Sequence, residues 1–411
     1  MLEARGVCSG ATGRNGGHLK PDLYRGIASL AKQYGSEAAE EVAAFEAAHV
    51  PAIKEVIEKE DIEADLLVTR AIDVQFSGSY ARQLKIGYDV LVSDGVDTAK
   101  TVQYIPKEKA SQVTGVKGAE AAFTYTAGSI WPYRFITHLL SKAISMGLNL
   151  QTHTLVTSIS EAQDANKTWT INSERGSIKA KTVIFASNAY TSALLAEYKN
   201  KIVPVRGFCS RIVTPGPNPP PHLSCTYTLR FNDWEYDYLI PRPDGSIIVG
   251  GARKNYLQTL SNWYDNVNDS TVPPSVNQYF DGYMQRHFHG WETSGAYTDR
   301  VWSGIMGYST DYLPHIGAVP HKPNQFILAG FTGHGMPEIF LSAKGIAQMV
   351  RDGKSFKETG VPRIYQTTDE RLNSGVNRIL ADTEHVWGKG AQMVSEREEQ
   401  SSVATAIPPR L

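Results

Sequence analysis

A loop of glycines and other small residues near the N-terminus could bind an anion. It runs from Ser9 to Gly17 and reads SGATGRNGG. Glycine lets the backbone approach a ligand closely, and exposed N–H groups in such a loop form a concave anion site. Glu3 ends the preceding predicted strand, where dinucleotide-binding folds place the acid that holds a ribose hydroxyl. The loop favours a nucleotide-phosphate site, although an ordinary surface loop can carry the same glycines.

A second glycine loop, Gly330 to Gly335, joins a predicted strand to a predicted helix. The N-terminus of that helix carries partial positive charge, which could face a phosphate or the anionic end of a redox ring. His334 lies within this loop. Two interpretations of the histidine stay open: it stabilises negative charge on a cofactor, or it donates a hydrogen bond to a nearby carbonyl.

Three aromatic residues are candidates for substrate contact. Tyr236 and Tyr238 precede a hairpin turn at 243–245, and Trp302 stands before a later predicted strand that contains Pro-x-Ile-Gly. Strand alternation would direct some of them away from a ligand, and a lone tryptophan is more often part of a core. Arg242, beside the tight turn, is interpreted as structural.

The sequence lacks the patterns of several other kinds of site. It has no Gly-x-Ser-x-Gly elbow, no Gly-Lys-Ser/Thr phosphate loop and no metal-ligand spacing, so no metal is expected. The formal net charge of −1 argues against nucleic acid or an anionic membrane as partner. The three cysteines are sparse, and no apolar run suits a spanning helix or a signal peptide. We therefore expect a soluble, cytoplasmic protein.

Helical and strand patterns alternate along the 411 residues, which are enough for two or three domains. Apolar spacing predicts a helix over 36–61, with Ser36 as its N-cap and a kink at Pro51. A second helix is predicted over 132–147, with proline in its first turn. Residues 86–96 cannot be assigned from their pattern.

Strand patterns are shorter and more varied. Residues 66–77 are dense in β-branched residues, and the apolar run at 182–186 is typical of a strand buried on both faces. Turn residues at 174–176 and 243–245 predict two hairpins. Further regions are interpreted as helix-rich at 255–298, polar and irregular from 363 on, and disordered at 395–411.

Seven segments, taken together and in order, resemble the D-amino-acid-oxidase-like family of FAD-dependent amine and amino-acid oxidoreductases. They read LEAR…CSGATGRNGG, AGSIWPYRF, VIFASNAYT, VPVRG, YLIPRPDGSIIVGG, WSGIMGYSTDYLPHIG and ILAGFTGHGMP…SAKGIA. The resemblance extends over roughly residues 1–353. It is closest to the branch that contains glycine and sarcosine oxidases and γ-glutamylputrescine oxidoreductases.

The resemblance implies an α/β fold. Its parts would be a doubly wound FAD-binding domain, assembled from discontinuous segments, and a substrate domain built on an antiparallel sheet. The FAD-binding domain is expected to comprise 1–65, 131–200 and 301–360, the substrate domain 66–130 and 201–300, and a partly disordered C-terminal extension 361–411.

The resemblance also implies which residues hold FAD. Glu3 matches the ribose-binding acid, and the N-terminal glycine loop matches the segment that wraps the pyrophosphate and borders the flavin. The loop at 330–336 matches the pyrimidine edge of the flavin, and Val156 and 186–188 match backbone contacts near the adenine. The expected cofactor-binding residues are Glu3, Ser9, Ala11, Thr12, Gly13, Arg14, Asn15, Gly16, Val156, Ala186, Asn188, Gly330, Gly333, Gly335 and Met336, with His334 as the candidate catalytic residue.

The implied activity is oxidation of the C–N bond of an amine or amino acid. A hydride passes from the carbon next to nitrogen to the flavin, and the imine is then hydrolysed. Either oxygen or another electron acceptor would reoxidise the flavin, so an oxidase and a dehydrogenase both stay open. A further alternative is a catalytically silent relative that does not bind FAD.

Three departures from the family pattern affect these expectations. Met336 and Pro337 stand where sarcosine-oxidase-like members have a lysine that binds the substrate carboxylate. No cysteine follows Cys225, so covalent attachment through a cysteine before Asp311 is not expected and FAD should be held non-covalently. The family's first strand, Gly-x-Gly-x-x-Gly turn and helix do not precede Glu3, so the chain is expected to begin downstream of that unit.

Overall fold

Within residues 1–216 and 219–387, which the computed structural model describes, the chain forms a mixed α/β fold. Its strands are β1 His18–Leu19, β2 Leu67–Gln75, β3 Gln103–Ile105, β4 Ala121–Ser129, β5 Val156–Ile159, β6 Trp169–Ser173, β7 Gly176–Ala180, β8 Val183–Phe185, β9 Ile202–Val213, β10 Thr226–Arg230, β11 Tyr236–Pro241, β12 Ile247–Gly250, β13 Tyr297–Ser309, β14 His315–Ala318 and β15 Gln325–Ala329. Its α-helices are α1 Ala11–Arg14, α2 Arg25–Tyr34, α3 Ser36–Glu60, α4 Gly78–Ser93, α5 Lys107–Thr114, α6 Pro132–Ser145, α7 Pro274–Tyr279, α8 Tyr283–His287, α9 Ile339–Asp352, α10 Asp369–Asn373 and α11 Arg378–Trp387.

The largest element is a nine-stranded sheet in the order β1-β4-β2-β10-β11-β12-β9-β13, with β3 also paired to β4. All its pairings are antiparallel except that of β2 with β10. These two strands lie far apart in the chain, and parallel neighbours need such a long crossover connection. The sheet expected to be antiparallel is therefore mixed.

One face of this sheet is apolar along its centre. Val74, Leu229, Leu239 and Val249, from four strands, are fully buried in one cluster. Because side chains alternate along a strand, the residues next to these point to the opposite face. We call that opposite face, which carries Asp73 of β2, the site face. At its β4 end it is covered by α2 and α3 through a second apolar cluster.

Two three-stranded sheets complete the fold. β5, β6 and β7 form an antiparallel meander, which confirms the hairpin predicted at 174–176. In the other sheet, β15 pairs in parallel with β8 and antiparallel with β14. β8 is an edge strand, and Ile184 is 48% exposed. The prediction of a strand buried on both faces at 182–186 is therefore wrong, because within the described residues no layer covers the face that carries Ile184.

Both predicted helices are present as α3 and α6, and Pro132 lies in the first turn of α6. Ser36, expected as the N-cap of α3, is instead its first helical residue, and Gly35 occupies the cap position. α3 continues through Pro51 to Glu60. Residues 86–96, left unassigned by their pattern, lie mostly in α4.

The chain beyond 363 is more regular than predicted, because it forms α10 and α11. Arg371 of α10 donates two hydrogen bonds to Asp311, at 2.8 and 3.0 Å, and others to backbone carbonyls. Ile379 of α11 is 2% exposed. The region 255–298, expected to be helix-rich, contains the short helices α7 and α8 and one 3-10 turn at Leu260–Asn262. The tail predicted to be disordered, 395–411, lies outside the described residues.

Candidate cofactor and substrate site

The N-terminal glycine loop packs on the site face of the nine-stranded sheet. Trp302 of β13 donates from its indole nitrogen to the Arg14 carbonyl oxygen at 2.7 Å. A Cβ atom on Gly16 would lie 2.6 Å from the ring of Tyr238. Only glycine can occupy this position, and the close approach puts two of the three predicted substrate residues beside the loop.

Polar side chains of the loop hold the loop's own backbone. Arg14 Nε donates to the Ser9 carbonyl oxygen at 2.7 Å, and its Nη1 atom donates to two carbonyls of neighbouring segments. Asn15 Nδ2 donates to the Thr12 carbonyl oxygen at 2.9 Å. Thr12 and Gly13 themselves are exposed. Hydrogen bonds from side chains of the loop therefore help to fix its conformation, and residues 12–13 are exposed to solvent.

The second glycine loop meets the end of β13 and the turn after β8. Asn188, with a φ of 42°, accepts a hydrogen bond from Gly330 N at 2.9 Å. A Cβ atom on Gly333 would lie 3.2 Å from the hydroxyl oxygen of Tyr308. Both glycine loops therefore adjoin the same sheet face. Asn188, expected as a cofactor contact, has a side chain that fixes the second loop.

A row of residues crosses the site face from β2 to β13. The pairing register aligns, in order, Asp73, Thr228, Tyr238, Gly250, Cys209 and Trp302. The Tyr238 hydroxyl lies 3.0 Å from Cys209 Sγ and above Gly250, where a Cβ atom would be 2.2 Å from the ring. Tyr236 lies two residues before Tyr238 on the same strand. All three predicted substrate residues, Tyr236, Tyr238 and Trp302, thus share one face.

His334 is paired with a carboxylate, not with a carbonyl. Its Nε2 atom lies 2.7 Å from Glu46 Oε2 on α3. The Glu46 side chain is almost fully buried, whereas 39% of the His334 side chain is exposed. Burial alone would lower the pKa of His334, but Glu46, with Glu338 and Asp22 farther away, raises it to about 9. At neutral pH the imidazole is therefore protonated, so it can donate hydrogen bonds but cannot accept them.

Glu338, just before α9, is a second buried carboxyl group near His334. Burial raises the pKa of Glu338 to about 8, against the opposing effect of His334. Its Oε1 atom accepts from the Tyr365 hydroxyl at 2.7 Å, and its Oε2 atom has no partner. Sequence reasoning missed both carboxyl groups. The signal for Glu46 was its place on the apolar stripe of α3, four residues from Val42 and from Val50.

Basic side chains are concentrated around Tyr236. Arg230 and Lys20 lie 3.4 and 3.3 Å from the same oxygen of Asp73. The guanidinium carbons of Arg230 and Arg253 lie 5.1 and 4.2 Å from the centre of the Tyr236 ring. Burial would raise the pKa of Asp73, but Lys20 and Arg230 hold it well below its usual range. Arg253 lowers the pKa of Tyr236.

Of the other expected cofactor residues, Glu3, Val156 and Ala186 lie near the small sheets and Met336 does not. Glu3 Oε1 accepts from the Arg5 backbone N–H at 2.9 Å, and Val156 opens β5. Ala186 is exposed directly after β8. Met336 packs with a separate apolar cluster beside α6 and α9. Contacts of these residues with a nucleotide stay a prediction.

Sequence comparison decides the family. Residues 1–349 match the family model described as FAD dependent oxidoreductase. The chain belongs to this family. Both glycine loops and all candidate substrate residues of this oxidoreductase lie inside the matched range. No curated protein matches the chain.

Solved structures share the fold at low identity. Glycine oxidase from Geobacillus kaustophilus matches with a TM-score of 0.67 and 19% identity, over 88% of this chain and 91% of that one. L-proline dehydrogenase from P. horikoshii gives 0.65 and 19%, over 86% of each chain. L-alpha-glycerophosphate oxidase from Mycoplasma pneumoniae, solved with FAD bound, gives 0.60 and 14%, over 85% and 87%. At these identities the likeness shows the fold alone.

Two groups near the first loop fit FAD chemically. The Ser9 hydroxyl oxygen is buried without a hydrogen-bond partner, so it can serve a phosphate oxygen. The Glu3 carboxylate makes no ion pair with any described residue and accepts one backbone N–H, so it retains acceptor capacity for a ribose hydroxyl. The donor and acceptor set of the loop therefore agrees with the family's cofactor.

Other kinds of site find less support. Over residues 1–216 and 219–387, no group of three or more His, Cys, Asp or Glu side chains could hold a metal ion. In the same ranges, no helix is long and apolar enough to cross a membrane.

Proposed function

We propose that the protein oxidises the C–N bond of an amine or amino acid with non-covalently bound FAD. The observation that carries the proposal is the meeting of two glycine loops on one sheet face beside Tyr236, Tyr238 and Trp302. A cofactor held by both loops would face these side chains, where a substrate would bind. The glycine oxidase and L-proline dehydrogenase that share the fold support an amino-acid or amine substrate.

FAD, when bound, supplies the acceptor for a hydride. The chain's own residues orient the substrate, exclude water and place charge. His334 is the proposed catalytic residue: Glu46 engages its Nε2 atom, so a protonated ring would donate from Nδ1 to developing negative charge. Tyr238 and Trp302 would form an aromatic wall against the substrate. No side chain is assigned as a base, so the substrate amine would bind in its neutral form.

Flavin content tests the proposal directly. We expect the purified protein, after incubation with FAD, to hold flavin that acid precipitation releases completely. Yellow colour left in the washed pellet would contradict non-covalent binding. Adding amines and amino acids without oxygen should bleach the flavin. Hydrogen peroxide formed on readmitting air then separates an oxidase from a dehydrogenase.

The close packing of Gly16 on Tyr238 favours one second candidate, a silent relative that binds no FAD. In that case the two loops would support the fold only. Incubation with FAD would then leave the protein colourless and its melting temperature unchanged. A rise in melting temperature with FAD would exclude this candidate.

A cytoplasmic location is also proposed. Cys8, Cys209 and Cys225 are all free thiols, as a reducing compartment would keep them. Cell fractionation with a tagged chain checks the location, and recovery in a secreted or organellar fraction would contradict it.

A further inference from the structure

A cavity of about 660 Å³ lies between α3, α9 and the segment 356–366. We call it the α3–α9 cavity. Two of its walls are single helix faces, because their lining residues recur at the three- and four-residue spacing of one face. On α3 they are Glu41, Ala44, Phe45 and Ala48, and on α9 they are Leu341, Lys344, Gly345 and Gln348. Small-molecule sites in proteins have volumes of about 300–1,000 Å³, so the cavity is large enough to hold such a ligand.

Small side chains leave this space open between the two helices. Ala44 and Ala48 line the α3 wall and are exposed, so no large side chain of α3 fills the cavity there. The third wall packs directly on α9, since a Cβ atom on Gly345 would lie 2.7 Å from Cγ2 of Val361. Protein interiors normally leave few voids, so this gap is a feature of how the three walls pack.

Buried aromatic rings form part of the cavity wall. Phe45 of α3 is 8% exposed and Phe356 of the third wall is 6% exposed. The Phe45 ring packs edge-on against Tyr365, with 6.2 Å between ring centres, which fixes its orientation. Rings held in this way offer faces and edges against which an aromatic ligand can pack.

Positive charge exceeds negative charge around the cavity. Its charged lining residues are Lys344, Lys357, Arg363 and Glu41. Arg363 donates from Nη1 to Glu41 Oε1 at 2.6 Å and from Nη2 to Glu37 Oε2 at 3.0 Å, so these groups are already paired. Neither lysine has an ion pair or hydrogen bond with any described residue. Two ammonium groups without counterions therefore border the same space, which favours an anionic ligand.

Gln348 adds an unused amide group to the wall. Its Oε1 atom is buried, and no described residue donates a hydrogen bond to it. Buried polar atoms normally have a partner, so this acceptor is available to a ligand. A hydroxyl or N–H group on the ligand would satisfy it.

The α3–α9 cavity is separate from the proposed FAD site. Glu46, which contacts His334, follows Phe45 on α3 and is therefore turned by about 100° around the helix axis from it. None of the residues expected to contact FAD or substrate lines the cavity. The cavity is therefore additional to the proposed function and does not depend on it.

We propose that the α3–α9 cavity binds an aromatic carboxylate that also carries a hydroxyl or N–H group on its ring system. The aromatic body packs against Phe45 and Phe356, and the carboxylate meets the ammonium groups of Lys344 and Lys357. Gln348 accepts a hydrogen bond from the ring donor. Lysine suits this role because its flexible stem lets the charge follow an anion over a range of positions.

Calorimetric titration with 6-hydroxy-2-naphthoate and with the neutral 6-hydroxy-2-naphthamide tests the charge of the site. The carboxylate should bind about tenfold or more tightly than the amide. The double variant Lys344→Gln with Lys357→Gln should lose this preference. The control double variant Lys32→Gln with Lys59→Gln, which removes two exposed lysines outside the cavity, should keep it. Equal binding of the two probes by the unchanged protein, or an undiminished preference in the first double variant, would overturn the proposal.

Filling the cavity tests where the probe binds. Ala48→Trp places an indole in the space between the helices and should weaken the binding of 6-hydroxy-2-naphthoate about tenfold or more. The matched control Ala347→Trp, at an exposed position of α9 outside the cavity, should bind as the unchanged protein does. If Ala48→Trp does not fold, Ala44→Leu replaces it. Equal affinity of the filled variant and the control would locate the probe elsewhere and contradict the proposal.

A third comparison tests the ring donor. The probe 2-naphthoate, which lacks the hydroxyl, should bind the unchanged protein about threefold or more weakly than 6-hydroxy-2-naphthoate does. Gln348→Leu should remove this difference. A difference that persists in Gln348→Leu would show that the assignment of the ring donor is wrong.

Titrations with and without FAD separate this site from the cofactor site. The affinity for 6-hydroxy-2-naphthoate should be the same in both cases. Displacement of the probe by FAD would place it in the proposed cofactor site, and the proposal would fail. If the protein binds the probe in the cavity but binds no FAD, the cavity site stands and the oxidoreductase function fails.

Discussion

At neutral pH the Glu46 carboxylate keeps the His334 ring protonated, so replacing Glu46 by Gln should lower the pKa of His334. In the unchanged protein the ring should titrate near pH 9, because the buried carboxylate stabilises the imidazolium. In Glu46→Gln the midpoint should fall well below 9, since the carboxylate that contacts the ring is lost and burial favours the neutral imidazole. Histidine chemical shifts followed by NMR across the pH range measure both midpoints.

The control for this titration is Glu41→Gln on the same helix. Glu41 is paired with Arg363 at the surface, so its loss removes a charge from α3 without touching His334. The same midpoint in Glu46→Gln and in the unchanged protein would show that another group sets the protonation of His334.

At this scale the sequence revealed residues with strong local signals and missed those whose partners are distant. The two glycine loops could be located because turns and close approaches need glycine. Glu46 and Arg253 could not be assigned, because their roles depend on His334 and Tyr236, which adjoin them only in the folded chain. Arg242, interpreted as structural, pairs with Asp65 at 3.0 Å.

The turn from the first loop into β1 depends on Gly17, which has a φ of 76°. A Cβ atom there would lie 2.0 Å from the Ile130 carbonyl oxygen. Gly17→Ala should therefore reduce the free energy of unfolding by about 3 kcal/mol, from backbone strain and overpacking together. Urea unfolding followed by circular dichroism measures the loss.

Gly115→Ala is the matched control for Gly17. It has a φ of 70° at the end of α5 but open space around the missing Cβ. Gly115→Ala should reduce the free energy of unfolding by only about 1 kcal/mol, from backbone strain alone. Equal losses for the two variants would mean that the contact with Ile130 does not constrain the loop.

The short helix α10 is held by Arg371. This arginine pairs with Asp311 and bonds several carbonyls while only 14% of its side chain is exposed. Arg371→Ala should cost about 3 kcal/mol of unfolding free energy, because it leaves the partly buried Asp311 carboxylate without its cation. Arg363→Ala, which removes exposed pairs with Glu37 and Glu41, should cost less than about 1 kcal/mol. Similar costs in denaturant titrations would contradict this role of Arg371.

Elements with local sequence signals were predicted well, and elements made by distant contacts were not. Turn residues located the hairpin between β6 and β7, and apolar spacing located α3 and α6. The parallel pairing of β2 with β10 has no local signal, because a long crossover separates the strands. α10 was missed because contacts such as that of Arg371 with Asp311 hold it, without a periodic apolar stripe. α11 was missed although Ile379 packs in the main apolar cluster, because that cluster is formed by distant segments.

For the whole molecule, we expect the free energy of unfolding to fall as pH rises from about 7 to about 9.5. The folded-state pKa of His334, about 9, and that of Glu338, about 8, both lie above their ordinary values of 6.5 and 4.5. The folded state therefore binds more protons than the unfolded state in this range, and each proton lost removes stability. Urea titrations at several pH values measure the slope.

The double variant Glu46→Gln with Glu338→Gln provides the comparison for this slope. Neither site then has a raised pKa in the folded state, so stability should change less between the same pH limits. If the free energy of unfolding of the double variant depended on pH as steeply as that of the unchanged protein, other groups would cause the dependence and the prediction would be wrong.

Cys209, in the row of residues across the site face, can report how often the strands of the sheet separate. Cys209 lies under Tyr238, and burial raises the pKa of its thiol to about 11. A thiol in this state reacts with alkylating reagents only during the moments when the strands separate. The rate of Cys209 alkylation would therefore report how often this part of the sheet opens. The more accessible Cys8 and Cys225 provide the reference rate. A ligand bound over these residues would slow alkylation by hindering the separation of the strands. The same rate would therefore measure ligand binding without any optical signal from the ligand.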